Sequence, residues 1–237
     1  MHLLKDLIDL LLPPVCYICK RRLKSEENII CNDCYSRIRL LSPPYCERCG
    51  RPLPTPDIKV CNTCIIERHP CSYIRGISPY DGIAEHLIIL LKYNGKIGTA
   101  KILGRLMIQA ILKEEIYRNC NVIVPVPLHT TRTRERGYNQ AELLGKELSV
   151  ELNIPLVSDA LIRVRATPSQ TKLPSEERAT NVKDAFVVNK QRIKLIKDKT
   201  ILLVDDVLTT GATLNECART LFKGDVKEVL GIVSVIA

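Results

Sequence analysis

Apolar residues in this chain recur with two different periods, and the changes between them mark most of its elements. A continuous apolar run from Ile201 to Val204, inside TILLVDDVLTTGATL, predicts a strand buried on both faces of a parallel sheet. Two carboxylates, Asp205 and Asp206, stand where that strand is expected to end. After a Thr/Gly turn, Leu214, Ala218, Leu221 and Phe222 fall at helical spacing. Residues 122–126 form a second buried run, and residues 73–80 are expected to supply the first strand of this part of the chain. Apolar positions three and four apart predict helices over residues 83–93, 97–117 and 141–152, with Gly95 as a break between the first two. Near the start, Leu3, Leu4, Leu7, Ile8 and Leu11 make one helical stripe that Pro13 and Pro14 end. From residue 163 to 186 no apolar period holds. A polar stretch of that length reads as a lid or a loop, with Ser175 as cap of a short helix and Arg178 pointing outward.

Cysteine spacing adds a second unit. Eight of the eleven cysteines form four Cys-x-x-Cys pairs: Cys16/Cys19, Cys31/Cys34, Cys46/Cys49 and Cys61/Cys64. Leu11, Pro13, Pro14, Cys16, Cys19, Arg21, Leu23, Cys31, Asn32 and Cys34 recur thirty residues later, which a duplication explains. Each copy has too few apolar residues for a core of its own and needs a staple. Two knuckles can close an all-cysteine tetrahedral site around zinc, and four thiolates leave no open position, so two structural zinc ions are expected. Ligation in sequence order (16, 19, 31, 34 and 46, 49, 61, 64) is favoured over an interleaved cross-brace, because each copy is self-sufficient. Disulfides are disfavoured in a chain with no visible secretion signal. Cys71, Cys120 and Cys217 are left over, Cys217 as a packing residue. The expected division is residues 1–70 for a helix and the tandem ribbon, and residues 71–237 for an α/β domain.

With 46% hydrophobic residues, no Trp and two Phe, the core must rest on Ile, Leu and Val. No apolar run reaches the roughly 18 residues of a membrane span, so no stable membrane insertion and a cytoplasmic location are expected. The formal charge of +9 drops to about +5 once two four-thiolate zinc sites are counted. A moderately basic chain suggests an anionic partner without identifying it.

The turn after the acidic pair has the chemistry of a phosphate cradle. Thr209, Thr210 and Thr213 offer hydroxyls, Gly211 lets the backbone come close, Ala212 completes the turn, and the helix that resumes over residues 215–223 presents N–H groups at its start. It is not a Walker A loop, since no Gly-Lys-Ser/Thr occurs. Carboxylates beside a phosphate repel it unless they bind its hydroxyls or a cation, which suits a sugar phosphate with a free diol and Mg2+. Pro127, Leu128 and His129 follow the strand at 122–126, where ligands gather in open sheets. Arg132, Arg134 and Arg136, then Gly137, Tyr138, Asn139 and Gln140, make a pyrophosphate or nucleic-acid surface or a set of solvated loop charges. Lys92 and Lys96 stand between a solvated face and an anion contact. Arg163, Arg165, Gln170, Arg178 and Asn181 are candidate ligands should the lid close.

VDDVLTTGAT resembles the ribose-5-phosphate loop of type I phosphoribosyltransferases, which bind phosphoribosyl pyrophosphate (PRPP). PVPLHTTRTRERGYNQA, RATPSQTKLPSEERATNVKDAF and the tandem knuckles resemble the ComF family, in the same order. The resemblance covers nearly the whole chain and implies a double zinc ribbon in front of a type I phosphoribosyltransferase-like parallel sheet with flanking helices. It implies that Asp205 and Asp206 hold the ribose 2′ and 3′ hydroxyls and that residues 209–213 hold the 5′-phosphate. Mg2+–pyrophosphate is then expected near residues 127–136, under a lid of residues 163–181. It also implies a role in DNA uptake, with transferase chemistry on an unidentified acceptor. The alternative is a PRPP-sensing or single-stranded-DNA-binding module that docks a competence helicase.

Overall fold

The computed structural model describes residues 13–67, 69–166 and 181–237. The expected N-terminal helix, Ser175, Gln170 and Arg178 lie outside the described residues. In chain order the elements are α1 (Asn32–Ser36), α2 (Asn62–Ile66), β1 (Tyr73–Pro79), α3 (Gly82–Tyr93), α4 (Thr99–Lys113), a 3-10 turn (Glu115–Asn119), β2 (Val122–Pro125), α5 (Thr130–Arg136) and α6 (Gln140–Leu152). They continue with β3 (Leu161–Arg163), β4 (Phe186–Val188), α7 (Ile193–Ile196), β5 (Thr200–Leu208), α8 (Ala212–Phe222) and β6 (Glu228–Ile236).

Strands β1, β6, β5 and β2 lie side by side in that order, all parallel. Helices cover both faces, so the strands are apolar on both. Leu202 and Val204 join Ile123, Leu230, Leu87 and Leu144 on one face. Ile201 and Leu203 join Val124, Val229, Cys217 and Leu221 on the other. Cys71, Cys120 and Cys217 are all core residues. β3 and β4 form a separate antiparallel pair at the base of the polar 163–186 stretch.

Two boundaries and one core position depart from the sequence pattern. β5 does not end at the acidic pair. It runs on to Leu208, because β6 pairs with it as far as Leu208 opposite Ile236, while β2 stops at Pro125 opposite Val204. The helix expected to reach residue 117 ends at Lys113. There the chain turns so that Glu114 accepts from the Tyr73 hydroxyl at 2.7 Å, and the buried Tyr117 hydroxyl donates to the Gly231 carbonyl at 2.7 Å. Phe222, placed by periodicity on the core side of its helix, is 41% exposed.

The cysteine repeat is a repeat of geometry as well as of sequence. Cys16 N–H donates to the Arg21 carbonyl and Cys46 N–H to the Arg51 carbonyl, at 2.8 and 2.7 Å. Leu23 N–H meets the Pro14 carbonyl as Leu53 N–H meets that of Pro44. Lys20 and Gly50, thirty apart, both adopt the left-handed conformation. The first ribbon packs Leu23, Ile29 and Ile30 into the core that holds α3 and α4. The second lies along the free edge of β1, where the Arg48 carbonyl accepts from Ile74 N–H at 2.6 Å. An edge strand covered in this way offers no open ladder to another chain.

Candidate functional site

The sheet opens at the carboxyl end of β5. Beyond Val204 the β2 ladder ends while β6 goes on pairing, so Asp205 and Asp206 sit past the end of β2 on a strand held from one side. Gly211, at φ 88°, turns the chain into α8 and is its N-cap, with no side chain to occupy the helix end. The Thr210 hydroxyl accepts from Ala212 N–H at 3.4 Å. Residues 209–213 are all half-exposed, so the turn and the first helical residues face solvent beside the two acids. A glycine N-cap on a Thr/Gly turn lets an anion approach the helix start closely.

The two acids have different surroundings. Asp206 is 7% exposed and pairs with the Lys92 ammonium at 2.8 Å, from the last turn of α3. Burial works against the Lys92 charge, but the Asp206 carboxylate outweighs it and raises the ammonium above its ordinary pKa. Asp205 lies on the side of Arg163 and Cys217, and its Oδ1 accepts from Asp206 N–H at 2.8 Å. Burial, followed by the neighbouring Asp206 charge, pushes the Asp205 carboxyl up to about 8. Two adjacent carboxyls with one resident cation therefore carry one full negative charge more easily than two.

Lys92 also joins this edge to the arginine segment. A pocket of about 250 Å³ is lined by Lys92, Tyr93, Gly95, Arg132, Glu135, Arg136 and Tyr138. The segment read as a loop is the short helix α5, ended by Gly137 in the left-handed conformation at φ 82°. Arg132 and Arg136 line the pocket, Arg136 lying 5.4 Å from the Tyr93 ring centre, whereas Arg134 is exposed. Pro127 is buried and Leu128 half-buried beneath. His129 caps α5 through Nδ1. Asn139 caps α6 with its oxygen and donates to the Val126 carbonyl with its nitrogen, so both ends of its amide serve the fold. The Tyr138 hydroxyl donates to the Leu91 carbonyl. Of the lid residues described, Arg163 stacks 5.4 Å from the Phe186 ring centre, near Asp205. Arg165 donates to the Asn181 and Lys183 carbonyls, tying the two ends of the polar stretch together.

The eight paired cysteines gather in sequence order: Cys16, Cys19, Cys31 and Cys34 in one cluster, Cys46, Cys49, Cys61 and Cys64 in the other. Within each the sulfurs lie within 4.8 Å of one another, with Cys19–Cys31 at 3.6 Å and Cys49–Cys61 at 3.7 Å. A tetrahedral site with Zn–S bonds of about 2.3 Å separates its sulfurs by about 3.8 Å, so the set fits zinc. Backbone N–H groups of Cys31 and Cys61 point at the sulfurs of Cys16 and Cys46, each at 3.4 Å. Burial opposes ionisation of those two thiols, but such N–H groups outweigh it and hold them at about 6 and about 7. Both clusters are built as structural, closed sites.

Two family models match the chain, a double zinc ribbon domain over residues 7–65 and a phosphoribosyl transferase domain over residues 139–237. The DNA utilization protein YhgH of Salmonella typhimurium is 31% identical over 218 residues, 90% of this chain and 93% of that protein. Competence protein F of Haemophilus influenzae is 36% identical over 148 residues, which cover 60% of this chain and 63% of that one. This chain belongs to the ComF family. Among solved structures, adenine phosphoribosyltransferase from Leishmania tarentolae is 20% identical over 58% of this chain and 56% of that one, with a TM-score of 0.37.

In this ComF-family chain the ribbon match spans both cysteine clusters, and the transferase match spans β5, the Thr/Gly turn and α8. Lys92 and the arginine helix precede that match, and Lys92 meets Asp206 only through folding. Sequence reasoning left Lys92 undecided and passed over Arg51, His69 and Asn215. Arg51 donates to the Thr209 carbonyl, and Asn215 Nδ2 meets His69 Nδ1 at 2.6 Å. Burial, ahead of the nearby charges, keeps that histidine below its ordinary pKa and neutral. The one available signal was the repeat itself, which marks Arg51 as the partner of Arg21. Among the described residues no helix is long and apolar enough to cross a membrane.

Proposed function

We propose that this protein binds PRPP at the carboxyl end of β5 and acts in DNA utilisation, as the names of its relatives indicate for them. The observation that carries the reading is the end of the β2 ladder at Val204, past which two acids adjoin a helix start whose N-cap is a glycine on a Thr/Gly turn. Residues 209–213 take the 5′-phosphate, with hydroxyls and helix N–H groups as donors. Asp205 and Asp206 take the ribose hydroxyls. Mg2+ and pyrophosphate would lie toward the pocket of Lys92, Arg132 and Arg136, which supply positive charge there. Bound there, Mg2+ would supply further neutralisation of the pyrophosphate charge. Lys92, paired with Asp206 and lining that pocket, stands between the ribose end and the pyrophosphate end of the site. If transfer to an acceptor follows, positive charge on the sugar ring develops beside the acids, and the β3–β4 flap with Arg163 limits access of water.

Calorimetric titration with PRPP and MgCl2 tests this. Saturable binding that Asp205→Asn and Asp206→Asn each weaken at least tenfold is expected, and absence of binding by the wild-type protein refutes it. A second activity has its own observation: Arg132 and Arg136 flank an exposed Tyr93 on which a base could stack. This reading makes the arginine helix a contact for single-stranded DNA, with a helicase-like motor as the docking partner. It calls for salt-dependent affinity that falls when Arg132, Arg134 and Arg136 become alanine.

A further inference from the structure

The second zinc ribbon touches the phosphate turn directly. Arg51, two residues after the ligand Cys49, reaches across to a partner 158 positions away and donates to the Thr209 carbonyl. Thr210, Gly211 and Asn215 line the same small cleft as Cys49, Thr63, Cys64 and His69. Close beside Arg51, the His69–Asn215 contact fixes the first turn of α8, where Asn215 N–H also donates to the Gly211 carbonyl at 2.9 Å.

The first ribbon shows what the same arginine does without such a neighbour. Arg21 stays within its own ribbon, donating to Asp33 at 2.6 Å on the surface. Thirty residues later Asp33 is replaced by Thr63, so the second ribbon lacks the acid that would hold its arginine at home. Arg51 is thereby available to a backbone carbonyl. A guanidinium at that point fixes the Thr209 peptide and places a positive charge beside an anion cradle.

We infer that Arg51 is a positioning residue through which the second zinc ribbon holds residues 209–211 in the shape that receives a phosphate. This rests on the proposed PRPP site and deepens it, by making affinity at that site depend on one ribbon and not the other.

The test uses the full chain and compares Arg51→Ala, Arg51→Lys, Thr63→Asp and Arg21→Ala. Zinc content and PRPP affinity with MgCl2 are measured for each, together with amide hydrogen exchange of residues 209–215 in the ligand-free protein. With both zinc ions retained, Arg51→Ala is expected to weaken PRPP about tenfold and to speed exchange in the turn. Arg51→Lys should recover part of both. Thr63→Asp should act like Arg51→Ala without removing the arginine, by recapturing it. Arg21→Ala should change neither. The inference is overturned if exchange at the turn is the same in Arg51→Ala as in wild type, or if Arg21→Ala matches it. A wild-type protein that fails to bind PRPP refutes the proposed function, while the ligand-free exchange still decides the role of Arg51.

Discussion

The two ribbons share a sequence pattern, a hydrogen-bond scheme and a four-cysteine cluster, yet they are attached to different things. The first packs its apolar residues against α3 and α4, and its arginine is bound to its own Asp33 at the surface. The second has little core beyond Leu53, Val60 and its cysteines. It is held by polar contacts to the edge of β1 and to the Thr/Gly turn and first turn of α8. One scaffold thus serves as packing in the first copy and as a support for the proposed site in the second. The difference lies in single residues, among them Ile29 against Lys59, Asp33 against Thr63 and Lys20 against Gly50.

The largest effects should come from the metal. Cys34→Ser and Cys64→Ser should each lower zinc from two ions to one per chain and cost several kcal/mol of stability, by elemental analysis and thermal melting. Only Cys64→Ser should also weaken PRPP; equal loss from both would erase the distinction between the ribbons. Next come two lysines four residues apart that divide between the regions. Lys96 lies 4.8 Å from the Tyr17 ring centre of the first ribbon, whereas Lys92 holds the buried Asp206. Lys92→Met strands a buried carboxylate and should cost about 3 kcal/mol. Lys96→Met should cost about 0.5 kcal/mol, both read from denaturant midpoints.

A smaller effect separates the knuckles. A Cβ on Gly50 would lie 2.8 Å from the Ile74 carbonyl oxygen, in a backbone conformation with φ 71°. Gly50→Lys should therefore destabilise by about 2 kcal/mol, while Lys20→Gly, at an equivalent φ of 63° but with its side chain already accommodated, should be neutral or gain up to about 1 kcal/mol. The last is a pH effect at the turn. Because the Asp205 carboxyl is raised from 3.8 to about 8, the folded chain binds a proton that the unfolded chain releases between those values. Stability of the ligand-free protein should fall as pH rises through that window. Asp205→Asn should flatten the slope in thermal melts, and a change in the first ribbon should not.

Much of this was legible in the residues, for physical reasons that also mark where legibility stops. The thirty-residue repeat predicted the sequence-order clusters, because each copy carries its own four thiols. The parallel sheet showed in apolar runs such as 201–204, which only burial on both faces allows. The length of β5 did not show, since it depends on β6 continuing where β2 stops. Lys92 and Arg51 were ambiguous for the same reason: a charged side chain is assigned by what folding brings opposite it, and both partners are distant in sequence. Asn139 looked like a ligand by its neighbours in the chain, but its amide is taken up by the cap of α6 and the Val126 carbonyl. Phe222 followed the helical period, but at the last turn of α8 it stays partly open to solvent.

The central claim is that a phosphorylated sugar sits where β5 meets α8. Hydrogen exchange over the whole chain, with and without PRPP and MgCl2, tests it most directly. The account predicts slowed exchange in peptides covering residues 205–215, with a smaller effect around residues 46–69 and none in residues 16–34. Unchanged exchange at residues 205–215 while PRPP slows it elsewhere would contradict the account.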